Sequence, residues 1–174
     1  MIKRTLLVIA VAVVALLGYA ASKPNDFCVA RTVRIAAPPA KIVPLVDDLQ
    51  RWGAWSPYEK RDPGMQRTFS GPTSGPGAVY AWAGNQDVGS GRMEILATSP
   101  ERVTIKLDFL APFEGHDTAI FAMDPRDDAT DVTWSMHGPS PFVAKLIGVF
   151  LDMDGMIGAD FETGLANLKA LAEA

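Results

Sequence analysis

Side chains able to move protons, attack a carbonyl or hold a metal are few in this 174-residue sequence, and they are scattered. Its two histidines, His116 and His137, lie in no Ser-His-Asp spacing. His116 adjoins Asp117, but adjacent residues of a strand point to opposite faces, so the two make a poor acid-base pair. His137 falls on the face opposite Trp134 and is expected at the solvent or the rim. Asp152 and Asp154 stand two apart in a helical pattern and do not face each other; with Asp160 they read as solvated carboxylates. Glu94 and Glu114 would act as general acids only if burial raised their pKa. The single cysteine, Cys28, excludes an internal disulfide framework and a multi-cysteine metal site, and at the head of a strand-like run it reads as a packed thiol. No catalytic residue stands out, and neither a metal nor a cofactor is expected.

The richer inventory is aromatic. Trp52-Gly53-Ala54-Trp55-Ser56-Pro57-Tyr58 places three large rings in a segment whose Gly and Pro content argues against a regular element, so the rings must lie against something else. What they lie against follows from the elements around them. Phe27 to Ile35 is rich in β-formers and ends at Pro38-Pro39, which suit the first turn of a helix carrying Ile42, Leu45, Val46 and Leu49, shortened or kinked at Pro44. Further strands are expected near residues 66–70, 78–83, 89–98, 102–109, 115–123 and 131–137, separated by turn clusters such as Gly75-Pro76-Gly77 and Asp127-Asp128. Val103, Ile105, Leu107 and Phe109 alternate with Thr104, Lys106 and Asp108, as a sheet with one wet face requires. After Pro141 the period becomes helical for about thirty residues, through Phe142, Leu146, Val149, Phe150, Met153, Ile157, Phe161, Leu165, Leu168 and Leu171. Gly148, Gly155, Gly158 and Gly164 within that run imply a bend or a close approach to another surface.

The first residues differ in kind. Lys3 and Arg4 precede an uncharged run from Thr5 to Ala21, which as a helix spans roughly 25 Å, near the lower limit for crossing a bilayer. The segment 1–22 reads either as an uncleaved transmembrane anchor or as a cleaved signal, since Gly18 and Ala20 are small residues at suitable spacing for cleavage. Lys3 and Arg4 favour a cytoplasmic amino terminus, which leaves the folded part extracytoplasmic, or secreted if the segment is removed. Residues 23–26 form a polar, Pro-containing linker, and 27–174 a single domain. A net charge of -4 from interspersed acids and bases provides no basic stripe, so nucleic acid is not an expected partner.

Strand, short helix, Trp-rich loop, six-strand meander and long C-terminal helix is an order that resembles the START-like, or Bet v 1-like, helix-grip superfamily (SRPBCC), and within it the bacterial polyketide-cyclase-like group. Ile35-Ala36-Ala37-Pro38-Pro39, Trp52-Gly53-Ala54-Trp55-Ser56-Pro57 and Val132-Thr133-Trp134 leading to Gly138-Pro139 carry the resemblance, which covers about residues 27 to 172. It implies an α+β fold in which a curved antiparallel sheet of about seven strands wraps a long C-terminal helix. Binding sites of this kind are mostly apolar with a few polar groups. The candidate lining is Trp52, Trp55, Tyr58, Trp82, Phe109, Trp134, Met136, Met153 and Phe161. The expected function is a membrane-tethered binding domain for a hydrophobic small molecule or lipid-like ligand. The alternative is a cyclase or dehydratase-like enzyme using Tyr58, His116 or Glu114 as proton carriers. Ligand identity and oligomeric state are not legible in the residues.

Overall fold

A computed structural model describes residues 2–174. Helix α1 (Ile2–Ser22) leads into β1 (Asp26–Ile35), followed by α2 (Pro39–Val46) and one 3-10 turn, Leu49–Arg51. Two single helical turns, α3 (Trp52–Trp55) and α4 (Tyr58–Arg61), precede the strands β2 (Gln66–Ser70), β3 (Val79–Ala83), β4 (Ser90–Ser99), β5 (Arg102–Ala111), β6 (Gly115–Arg126) and β7 (Ala129–Pro139). The chain closes with α5 (Phe142–Ile147) and α6 (Met153–Ala172). All seven strands form one antiparallel sheet in the order β1-β7-β6-β5-β4-β3-β2, a meander whose last strand pairs with the first. Val103, Ile105, Val132, Trp134 and Met136 are buried on its inner face, in the alternation the sequence shows.

Two expectations need correction. The Trp-rich segment is regular over two short stretches: the Ser56 amide donates to the Trp52 carbonyl at 2.8 Å, closing one helical turn before Pro57 stops it. The thirty-residue C-terminal helix is in fact two. Gly148 ends α5, and Asp152 starts α6 by accepting a hydrogen bond from the Gly155 amide at 3.0 Å. The apolar period runs across this break because Val149 and Phe150 continue the pattern without continuing the helix.

Helix α6 lies mainly across β1, with α2 and α3 along its flank. Its C-terminal half is fastened polar group by polar group. Asn167 Nδ2 donates to the Trp55 carbonyl at 3.0 Å, Lys169 Nζ to the Arg34 carbonyl at 2.8 Å, and the Ala36 amide to Glu173 Oε1 at 2.7 Å. Gly164 marks the closest approach: a Cβ there would stand 2.8 Å from the Trp134 ring and 3.1 Å from Pro57. Glycine at this point is a packing requirement that offsets its cost in a helix interior.

Candidate functional site

The inner face of the sheet has two unlike regions. Under the C-terminal half of α6 the aromatic residues form a solid column. Trp134 stacks on Phe161 with ring centroids 4.1 Å apart and on Phe121 at 4.9 Å, while Trp52 and Trp55 meet it edge-on at 6.2 and 5.6 Å. The indole N–H of Trp52 donates to the Val46 carbonyl at 2.8 Å and that of Trp55 to the Leu45 carbonyl at 2.9 Å, which locks both rings to the end of α2. Trp134 Nε1 is buried and has no partner among the described residues. Here the space expected between helix and sheet is filled by side chains.

The second region is open. Between the start of β1, the end of β7, α5 and the first turns of α6 lies a cavity of about 410 Å³. Its apolar wall includes Phe27, Val29, Ala144, Leu151, Met153 and Ile157; Lys23, Asp26, Lys145, Asp152 and Asp154 supply its charged side chains. The break between α5 and α6 forms this cavity, since Gly148, Leu151 and Asp152 lie in or beside the break and all line it. Two of its carboxylates are engaged. Asp154 pairs with Arg31 at 3.0 Å and Asp152 caps α6. Arg31 reaches from β1 to α6, also meeting Glu162 at 3.0 Å, and passes over Gly158, where a Cβ would stand 1.9 Å from the guanidinium. The lysines bind neutral oxygens: Lys145 Nζ donates to Asn25 Oδ1 at 2.6 Å and Lys23 Nζ to the Gly148 carbonyl.

Of the nine expected lining residues, Met153 borders this cavity. Trp52, Trp55, Trp134 and Phe161 belong to the solid column, and Met136 is buried beside it on β7. Trp82 donates its indole N–H to the Val88 carbonyl at 3.1 Å and packs edge-on against Phe109 at 5.9 Å, towards the far edge of the sheet. Tyr58 sits beneath Arg61, whose guanidinium lies 5.2 Å from its ring; burial first, then the charge of Asp160, raises its pKa well above that of a free tyrosine. Lys23, Phe27, Val29, Lys145 and Ile157 were not singled out from the sequence. The available signals were Gly148 followed by Asp152 and Gly155, which spell a helix end and a fresh cap, and a lysine inside the apolar run from Phe142 to Val149.

The proton carriers expected from the sequence do not converge on the cavity. His116 is exposed and bonds Asp108 across the β5–β6 ladder at 2.8 Å. That hydrogen bond raises the His116 pKa, and Lys106 and His116 together lower that of Asp108. Asp117 points the other way, onto the inner face beside Gly138, and burial raises its pKa. Tyr58, His116 and Glu114 are all absent from the cavity wall. His137 is exposed, Glu94 pairs with Arg92 at 2.8 Å and Asp160 pairs with Arg61. Among the described residues no cluster of three His, Cys, Asp or Glu side chains could hold a metal ion.

A family model described as polyketide cyclase / dehydrase and lipid transport matches residues 26–173. Among solved structures, protein CV1439 from Chromobacterium violaceum is similar, with 16% identity and a TM-score of 0.58, over 87% of this chain and 99% of that one. KanY gives 16% identity and a TM-score of 0.62 over 87% of this chain and 100% of its own. Ara h 8.0201 gives 13% and 0.54 over 85% and 95%. At these identities the likeness shows the fold, which is Bet v 1-like. No curated protein sequence matches the chain.

Proposed function

The chain belongs to the polyketide cyclase / dehydrase and lipid-transport family, and from that premise we propose that it is a membrane-tethered binding domain for a hydrophobic small molecule or lipid-like ligand held in the cavity between α5, α6 and β1. Membership supports a ligand-binding or a cyclase role. The observation that favours binding is the cavity itself. Its volume of about 410 Å³ falls in the range of about 300 to 1,000 Å³ typical of small-molecule sites. Its wall is apolar over Phe27, Val29, Met153 and Ile157, and Tyr58, His116 and Glu114, the proton carriers expected of a cyclase, lie elsewhere. Of the nine aromatic and methionine residues, Met153 is assigned to ligand contact, and Trp52, Trp55, Trp134 and Phe161 to the packed wall behind it.

The tether is read from α1. Its 21 residues extend roughly 30 Å at about 1.5 Å per residue, the thickness of a bilayer's hydrocarbon core. Leu6, Leu7, Val8, Val11 and Val14 are all exposed along it, an apolar surface that calls for a lipid or protein cover. With Lys3 and Arg4 on the cytoplasmic side the domain is extracytoplasmic. The test uses the full chain in phosphatidylcholine nanodiscs with an environment-sensitive apolar fluorophore. Saturable uptake is expected, with loss of uptake in Ile157→Trp, which fills the cavity while leaving the circular dichroism spectrum unchanged. No uptake by the wild type, or equal uptake by a folded Ile157→Trp, would overturn the reading.

A further inference from the structure

We propose that the cavity has a cationic pole and selects single-chain amphiphiles with an anionic head, a carboxylate or a phosphate monoester, held by Lys145 and Lys23; this rests on the binding reading above. The observation is that neither lysine of the cavity is paired with an acid among the described residues. Lys145 is 8% exposed, yet among the described residues its ammonium donates only to the neutral amide oxygen of Asn25 and no carboxylate pairs with it. A buried ammonium without a counter-ion is costly, and natural structures pair such groups or offer them to a ligand. Lys23, half-buried, also lacks an acidic partner among the described residues; its Nζ donates to the carbonyl of Gly148, just after α5, and lies 5.7 Å from the Tyr19 ring. Both lysines line the same cavity as Phe27, Val29, Met153 and Ile157.

Three aspartates share that wall, and their engagement decides what the lysines can do. Asp154 is committed to Arg31 and Asp152 to the first turn of α6, while Asp26 is exposed at the mouth. The acids are therefore spent or solvated where the ammoniums are sheltered. An anionic head between Lys145 and Lys23 would add charge-assisted hydrogen bonds in a partly dry site. Its chain would lie along the apolar wall. Lys23 directly follows α1, which ends at Ser22, so the pole stands at the level where a tethered domain meets the bilayer surface.

The experiment displaces the apolar fluorophore from the full chain in phosphatidylcholine nanodiscs with dodecanoate, dodecyl phosphate and dodecanol, after correction for partition into empty nanodiscs. The two anions are expected to bind about tenfold more tightly than the alcohol, a difference of about 1.4 kcal/mol. Lys145→Gln should erase that preference by weakening the two anions far more than dodecanol, and Lys145→Arg should keep most of it. If Lys145→Gln does not fold, Lys23→Gln and a rise in sodium chloride should each reduce the preference in a folded protein. Equal binding of all three compounds, or a preference that survives both glutamine variants, would overturn the proposal while leaving the binding reading intact. Failure of dodecanol and fluorophore alike to bind would remove the binding reading as well. Sodium phosphate alone should displace nothing. If it competes at the same concentrations as dodecyl phosphate, the site reads a free anion and the amphiphile is the wrong ligand.

Discussion

The two ends of α6 solve the same problem in opposite ways. Its C-terminal half meets the sheet through Gly164, with Trp134 sandwiched between Phe161 and Phe121 and with Leu165 and Leu168 fully buried. Its N-terminal half meets β1 through the Arg31 guanidinium, which lies against Gly158 and forms ion pairs with Asp154 and Glu162. Close packing fills the first region, and the break between α5 and α6 opens the second. One sheet thereby carries both a stabilising core and a cavity, and the two should respond differently to mutation.

The largest contrast should come from the aromatic column. Trp134→Ala removes a ring stacked on both faces and should cost about 3 to 5 kcal/mol in denaturant unfolding. Trp134→Phe should cost much less, because it keeps the stack and deletes the buried indole N–H without a partner, a group that costs about 1 to 3 kcal/mol to leave unsatisfied. Next is Gly164→Ala, which gains about 1 kcal/mol of helix propensity but pushes a Cβ against Trp134 and Pro57. Overpacking should win, for a net loss of about 1 to 2 kcal/mol. A stabilised Gly164→Ala would mean that the column is looser than its geometry shows.

At the cavity the order of effects should reverse. Met153→Ala removes a side chain that is 43% exposed, so stability should change by less than about 1 kcal/mol while fluorophore affinity drops. Loss of stability without loss of affinity would erase the distinction between the two regions.

The smallest expected effect is electrostatic. Burial raises the Asp117 pKa, so its folded form holds a proton more tightly than its unfolded form. Such a carboxyl favours folding below its unfolded pKa, and that contribution is lost as pH rises through the folded value. Asp117→Asn should therefore raise the unfolding midpoint slightly at neutral pH, and the gain should vanish at pH values below the ordinary aspartate range. A gain that persists in acid would assign the effect to packing. The His116–Asp108 pair works with the opposite sign at each end. Its contribution fades as pH falls through the lowered Asp108 pKa and as pH rises through the raised His116 pKa.

The sheet was legible because its cause is local. Alternation along Val103 to Phe109 and Val132 to Met136 fixes which face is wet, and the Gly and Pro clusters fix the turns. The aromatic residues were legible as inward-facing but not as mutually stacked, since stacking depends on which strands are neighbours and on how near α6 comes. Gly164 indicated a close approach without naming its partner. A cavity was expected, but not its place, because it arises from an interruption: the apolar period from Phe142 to Leu171 survives the break at residues 148–152, so the pattern joins two helices that the backbone separates. Lys145 was hidden for a related reason. A lysine in an apolar run reads as a solvated tip until Asn25, more than a hundred residues away, is brought beside it.

Whether ligand enters between α5, α6 and β1 is read by methyl NMR of the full chain in nanodiscs during titration with an apolar ligand, following Ile157 and Met153 at the cavity against Met123 and Leu168 in the packed core. Saturable shifts are expected for Ile157 and Met153, with little change at Met123 and Leu168. Shifts centred on the core methyls, or none at the cavity under saturating ligand, would contradict entry there.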